Sequence, residues 1–234
     1  MGKKIRGLML LVLVLAVVPR GAVWAQQRHK PIEPPRPTQA KDKLHEMAKK
    51  SGGHFILRYR PNRSTLYPNV EELAKRSDLI VIGRTLSHRS SLRPDGNFIT
   101  QDYLVRVQEV IKGDLPNGRS ITITLPGGSY RFSDGTYAIV EPVGNQPAED
   151  SGTYVFFLRA AKQKNAAFKG YPLASEAQGM FALTGGTVSP TGMSADDPVV
   201  RSYRQMPAAD FLREIHKAVP RKERKESKEG GVGK

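Results

Sequence analysis

Two runs of strict alternation constrain this chain more than any other feature. In "QDYLVRVQ", Tyr103, Val105 and Val107 face one way while Leu104, Arg106 and Gln108 face the other. In "SITITL", Ile121, Ile123 and Leu125 alternate with Ser120, Thr122 and Thr124. A period of two is the mark of a strand with one buried face. The first run breaks at Glu109 and continues with Val110 and Ile111 in tandem, the pattern of a β-bulge. "LIVIG" at 79–83 is continuously apolar, as in a strand buried on both faces. Its Gly83 marks a bulge or a barrel corner.

The rest of the chain has the same texture. "RPDGN", "KGDLPNG" and "PGG" separate the apolar runs with turn residues. "SYRFSDGTYAIV" reads as a hairpin turning at Ser133-Asp134-Gly135, and "QGMFALTGGTVSPTG" as one turning at Gly185-Gly186. "TYVFFLR" at 153–159 is the most apolar segment beyond the N-terminus, and "HFILRYR" at 54–60 is a weaker strand.

Helices are few. In "PNVEELAKRSD", Asn69 and Glu72 have capping-box spacing, and Val70, Leu73 and Ala74 share one face. Residues 41–50 form a short helix with Leu44, Met47 and Ala48 on one side. A last helix runs from about Ala208 to Val219, with Pro207 in its first turn, Pro220 as its stop and an apolar stripe of Phe211, Leu212, Ile215, Ala218 and Val219. The expected fold is therefore mainly β: a small closed or partly open OB-like barrel, with a short helix before its first strand and a C-terminal amphipathic helix.

The first 25 residues carry Lys3, Lys4 and Arg6, then an apolar run at 8–18, then Val23-Trp24-Ala25. That order is a secretory signal, with cleavage between Ala25 and Gln26. The apolar run is short of the roughly 20 residues a spanning helix needs. The expected organisation is a signal peptide at 1–25, a Pro-rich linker and short helix at 26–53, a β-barrel domain with flanking helices at 54–219, and a disordered charged tail at 220–234. The expected location is secreted or periplasmic. No cysteine is present, so the core must hold by apolar burial, which this length allows.

The residues from "SDLIVIGRTLS" through "QDYLVRVQEVIKGD" to "ITITL", followed by "GTYVFFL" at 152–158, resemble the core of the netrin-like domain, shared by tissue inhibitors of metalloproteinases and complement proteins. Ser77-Asp78, Arg84, Tyr103 and Lys112-Gly113 occupy the matching places, and the resemblance spans about residues 70–160. It implies an OB-type five-stranded barrel. The inhibitors act through an N-terminal cysteine that this chain lacks, so protease inhibition does not carry over.

Motifs for chemistry are absent or incomplete. His45-Glu46 opens a zinc-protease motif, but the second histidine's place is Lys49. The five histidines are scattered, so no metal or other cofactor is expected. "GGSYR" lacks the second glycine of a nucleophile elbow. A binding surface has more behind it. OB-type barrels bind through the loop joining the first two strands. Here that loop is "SHRSSLRPDGN", with His88, Arg89 and Arg93; Tyr130 and Arg131 add an aromatic and a charge, with Phe132 and Tyr137 nearby. The competing reading buries Phe132 and Tyr137 and leaves the arginines in water.

The formal charge is +15; removing the four cations of the signal leaves +11. That surplus favours an anionic glycan, a lipid surface or an envelope protein as partner, and gives no reason for specific nucleic-acid binding. The expected function is an exported, non-enzymatic binding module of the cell envelope. The alternatives are a structural or assembly subunit of an envelope complex, and a hydrolase with an unrecognised site.

Overall fold

The computed structural model describes residues 42–61, 66–115, 118–144, 147–160, 170–192 and 197–219. The expected signal peptide, most of the linker and the tail lie outside these residues. Among the described residues four helices and ten strands form, and they are mainly β. In order they are α1 (Lys43–Lys50), β1 (His54–Tyr59), α2 (Val70–Arg76), β2 (Leu79–Leu92), β3 (Ile99–Lys112), β4 (Ser120–Pro126), β5 (Gly128–Arg131), β6 (Tyr137–Pro142), β7 (Thr153–Leu158), β8 (Met180–Thr184), β9 (Thr187–Pro190), α3 (Pro198–Tyr203), β10 (Met206–Pro207) and α4 (Ala208–Ala218).

Of the two forms expected, closed or partly open, no closed barrel is present among the described residues. The strands make two sheets: a seven-stranded antiparallel sheet in the order β10-β9-β8-β7-β2-β3-β4, and a three-stranded sheet in the order β1-β6-β5. The second sheet departs from expectation because β1 pairs in parallel with β6, from His54 opposite Tyr137 to Tyr59 opposite Pro142. Two isolated bridges, Ile123 with Tyr171 and Leu158 with Leu173, link β4 to β7 through one short segment.

The alternation decides what is buried. Tyr103, Val105, Val107, Ile121, Ile123 and Leu125 point into one core with Val81, Phe156 and Leu158. The opposite face of β2 and β7 gives Ile80, Ile82, Val155 and Phe157 to a second core, closed by α2, α3 and α4 through Leu73, Tyr203, Phe211 and Ile215. The third core lies between α1 and the small sheet, through Leu44, Ala48, Phe132, Ala138 and Val140. Helix α1 thus packs on the small sheet. Met47, expected on its buried side, is 43% exposed.

Local signals act as their chemistry dictates. The Asn69 side chain accepts from the Glu72 amide at 2.8 Å and starts α2. Glu72's carboxylate lies 3.1 Å from Lys75. Register shifts fall at Ile80/Val81, Ile82/Gly83 and Thr85/Ser87, so both the Gly83 bulge and the break after Gln108 are present. A side chain at Gly83 would meet Val105. One expectation fails here. Residues 87–92 are strand, not loop, and the turn is confined to 93–98. Paired side chains of polar character, such as Arg89 opposite Asp102 and Ser90 opposite Gln101, extend the hairpin past its apolar part, because strand pairing needs backbone partners rather than apolar side chains.

Candidate functional site

The site starts from Pro126-Gly127-Gly128, where the chain leaves β4 in the large sheet and enters β5 in the small one. Gly127 and Gly128 have φ of +110° and +115°, a region other residues rarely enter. A Cβ on Gly128 would lie 2.6 Å from both Gln101 and Ser90. The corner therefore needs glycine for its dihedrals and for its close approach.

The sheets diverge from this corner, and the wedge between them is a cleft of about 520 Å³. Its walls are apolar: Tyr103 and Leu125 on the large sheet, Ile139 and Val140 on the small one, Leu173 and Met180 from the segment beyond β7. Gln101, Ser129 and Thr191 add polar groups, and Glu141 and Glu176 are its ionisable carboxylates. Lysine and arginine do not line it among the described residues. Several of these groups are anchored. The Tyr103 hydroxyl donates to Gln101 Oε1 at 2.8 Å, and Thr191 Oγ1 donates to the Met180 carbonyl at 2.9 Å. Burial, reinforced by Tyr154 and Asp150, pushes the Tyr103 phenol up to about 12. Burial also raises the phenol of Tyr59, with the charge of Glu176 adding to it. The Tyr59 hydroxyl and the Ser175 hydroxyl are buried without a hydrogen-bond partner among the described residues.

None of the five residues expected to bind lines this cleft. His88 comes nearest. It lies across from Tyr103, with ring centroids 5.4 Å apart, and its Nδ1 is 3.0 Å from Asp150 Oδ1. Arg89 faces away, on the outer side of the sheet beside Asp102. Arg93 sits in the turn, 3.6 Å from Asp95. Tyr130 and Arg131 are neighbours on one strand and so point to opposite faces. Tyr130 packs edge-on against Phe132 in the third core. Arg131 is exposed across from Tyr137, on the face of the small sheet that bears Ile139. Of the aromatics near them, Phe132 is buried and Tyr137 is 40% exposed.

The residues sequence reasoning missed are Gln101, Ser129, Ile139, Glu141, Glu176 and Thr191. The available signal was the glycine pair at a strand end, which marks a change of sheet as well as the end of a strand. His45 also has a place. Its ring stacks on Phe132 at 4.2 Å, and its Nε2 lies 2.9 Å from Asp134. Lys49, where a second metal-binding histidine would stand, reaches the same carboxylate at 3.2 Å. Among the described residues no group of three His, Asp or Glu side chains gathers as metal ligands would. No protein-family model matches this chain, and no curated protein sequence matches it.

Proposed function

We propose that this protein is an exported, non-enzymatic binding module of the cell envelope, whose ligand seats in the cleft between the two sheets. The observation that carries the reading is the cleft itself. It is concave, mostly apolar and dotted with a few anchored polar groups, the usual character of a small-ligand site. Of its polar side chains, Gln101 is held by the Tyr103 hydroxyl and Thr191 by the Met180 carbonyl, as a pre-formed recognition surface requires. Apart from the Tyr103 phenol, its ionisable groups are the carboxylates of Glu176 and of Glu141, the latter 3.4 Å from Arg58 Nε, so a neutral or cationic ligand with an apolar body fits it better than an anion. The net positive charge of the chain therefore does not describe this site.

The export rests on the basic, apolar and small-residue order of the first 25 positions. The barrel reading also continues as a proposal. β2, β3 and β4 form a meander, β7 lies on β2, and residues 171–173 bridge β4 and β7 where a fifth strand would run. That order supports a partly open OB-like barrel, with the netrin-like resemblance confined to it.

A thermal-shift screen of the protein against short peptides, glycans, amines and lipids tests the function. A ligand at a hundred times its Kd adds about 2.7 kcal/mol of stability, and the melting temperature should rise accordingly. Ile139→Trp fills the cleft from a half-buried position and should abolish that rise. A rise that survives in I139W, or the absence of any rise, overturns the reading.

A second reading has its own observation. Beyond the cleft, the face of the small sheet that bears Ile139 continues exposed, with a His54–Tyr137 stack at 5.7 Å and Ile56 at 42% exposure. An assembly subunit would cover such a face. Co-purification of a stoichiometric partner lost on Tyr137→Ala would favour it.

A further inference from the structure

We propose that the helix-free half of the large sheet's outer face docks on an anionic phospholipid surface. The helices α2, α3 and α4 close over Ile80 and Ile82. Beyond them the same face of β2 continues, uncovered, through Arg84, and after the bulge through Ser87 and Arg89, all exposed. On β3 it presents Leu104 and Arg106. Arg84 and Arg106 are direct cross-strand partners. Neither they nor Arg89 forms an ion pair among the described residues; Arg84 Nε instead donates to the Ser151 carbonyl at 3.2 Å. Two acids share this face: Asp102, opposite Arg89, accepts from Thr124 Oγ1 at 2.6 Å, and Glu109, opposite Ile82, lies 3.6 Å from His216 Nε2.

Like charges placed directly opposite in a sheet are destabilising. Here two arginines stand opposite each other with no carboxylate between them, which is the arrangement an external anion would relieve. A guanidinium suits phosphate in particular, because its planar fork donates two parallel hydrogen bonds. The apolar residues on the face specify the source of that phosphate. Leu104 is 41% exposed beside Arg106, and Leu86, the extra residue of the bulge, is 36% exposed. Apolar side chains ringed by cations can enter the boundary between headgroups and acyl chains while the cations hold phosphates. Nucleic acid fits less well, since the exposed positions of this patch carry no aromatic on which bases could stack. No helix among the described residues is long and apolar enough to cross a membrane.

Flotation with vesicles tests the proposal. The purified protein should float with phosphatidylcholine vesicles containing about one quarter phosphatidylglycerol, but not with phosphatidylcholine alone, and added salt should release it. Arg84→Gln with Arg106→Gln should lower the partition coefficient roughly thirty-fold, about fivefold for each arginine. Lys43→Gln with Lys50→Gln on α1 removes the same charge elsewhere and should lower it far less. Leu104→Ser should weaken vesicle binding while leaving retention on heparin unchanged. The proposal falls if neutral vesicles bind as well, or if the α1 variant matches the arginine variant. It also falls if L104S leaves vesicle binding intact while the arginine variant loses vesicles and heparin together, since the occupant would then be a soluble polyanion.

Discussion

Phe181 is the side chain on which the helical layer rests, and its removal is the sharpest test of the second core. Its side chain is fully buried. Its ring lies 4.8 Å from Phe211 on α4, 5.7 Å from Phe157 on β7 and 6.3 Å from Tyr203 on α3. Phe181→Ala should cost about 3–5 kcal/mol from lost burial and the cavity left behind. The upper end is expected, because three separate elements surround the ring and cannot all move inward. Against a typical total of about 5–15 kcal/mol, this is a large fraction. With a urea slope of about 1–3 kcal/mol/M, the midpoint of unfolding followed by circular dichroism should fall by about 2 M. Tyr137→Ala, at a 40% exposed position, should change stability by less than about 0.5 kcal/mol. The F181A/F211A double variant should cost less than the sum of the singles, with a coupling of at least about 0.5 kcal/mol. A midpoint for F181A within error of the wild type, or strict additivity, would refute a shared core beneath α3 and α4.

Four further outcomes follow from single side chains. Val105→Asp places a charge where nothing is exposed; a buried unpaired charge costs several kcal/mol, so a cooperative thermal melt near the wild-type temperature would contradict the register. Arg106→Gln removes the like-charge pair with Arg84 and should raise stability by about 0.2–1 kcal/mol in urea titrations; a clear loss would mean that Arg106 has a structural partner. Tyr103, with its phenol pushed up to about 12 by burial, keeps its proton more tightly folded than unfolded, so its contribution holds below about pH 10 and is lost as pH rises towards 12. Tyr103→Phe should flatten that part of the stability profile, measured by urea titration at successive pH values. Asp134 is held well below the usual carboxylate range by hydrogen bonds from Thr136 first and from His45 next. Its contribution is present above about pH 4 and is lost as pH falls below it, so Asp134→Asn should lessen the acid sensitivity of the melting temperature, and an unchanged acid profile would show that the clasp between α1 and the β5–β6 turn does not matter.

What was legible in the sequence was local. The inward set Tyr103, Val105 and Val107 and the outward set Leu104, Arg106 and Gln108 follow from a period of two, and burial respects both. Asn69 was legible because capping involves residues only three apart. The two hairpin turns and the stripe of α4 have the same local character. Illegible features depend on distant partners. "HFILRY" carries no clean alternation, and a short apolar run does not name the strand it joins; β1 finds β6 some 83 residues away. The polar run 87–92 resembled a loop because its side chains carry no apolar pattern, yet its backbone pairs with 99–104. Helix α3 is short, with Val199 and Val200 as its main apolar signal, and its order comes from packing on β9 and the second core.

The cleft was the least legible feature of all, and the reason is physical. A concave site between two sheets is made by where a chain changes direction, and the sequence marks such a place only through residues that permit it. Gly127-Gly128 permits it here. The dihedrals at both positions and the contacts a Cβ would make at Gly128 leave no room for side chains. The walls then come from segments as far apart as Gln101 and Gly192, so no motif with fixed spacing could announce them. Charge misleads for the same reason. The total is dominated by side chains that solvent can reach, and solvated cations cost little wherever they stand. A partly enclosed cleft is different, because each charge on its wall must be tolerated at reduced hydration. Glu141 on the small sheet and Glu176 between β7 and β8 stand on this wall in a chain with a formal charge of +15, whereas Arg84 and Arg106 stand opposite each other on the outward face of the large sheet. The cleft wall and the outward face thus carry charges of opposite sign, which a single net charge cannot express.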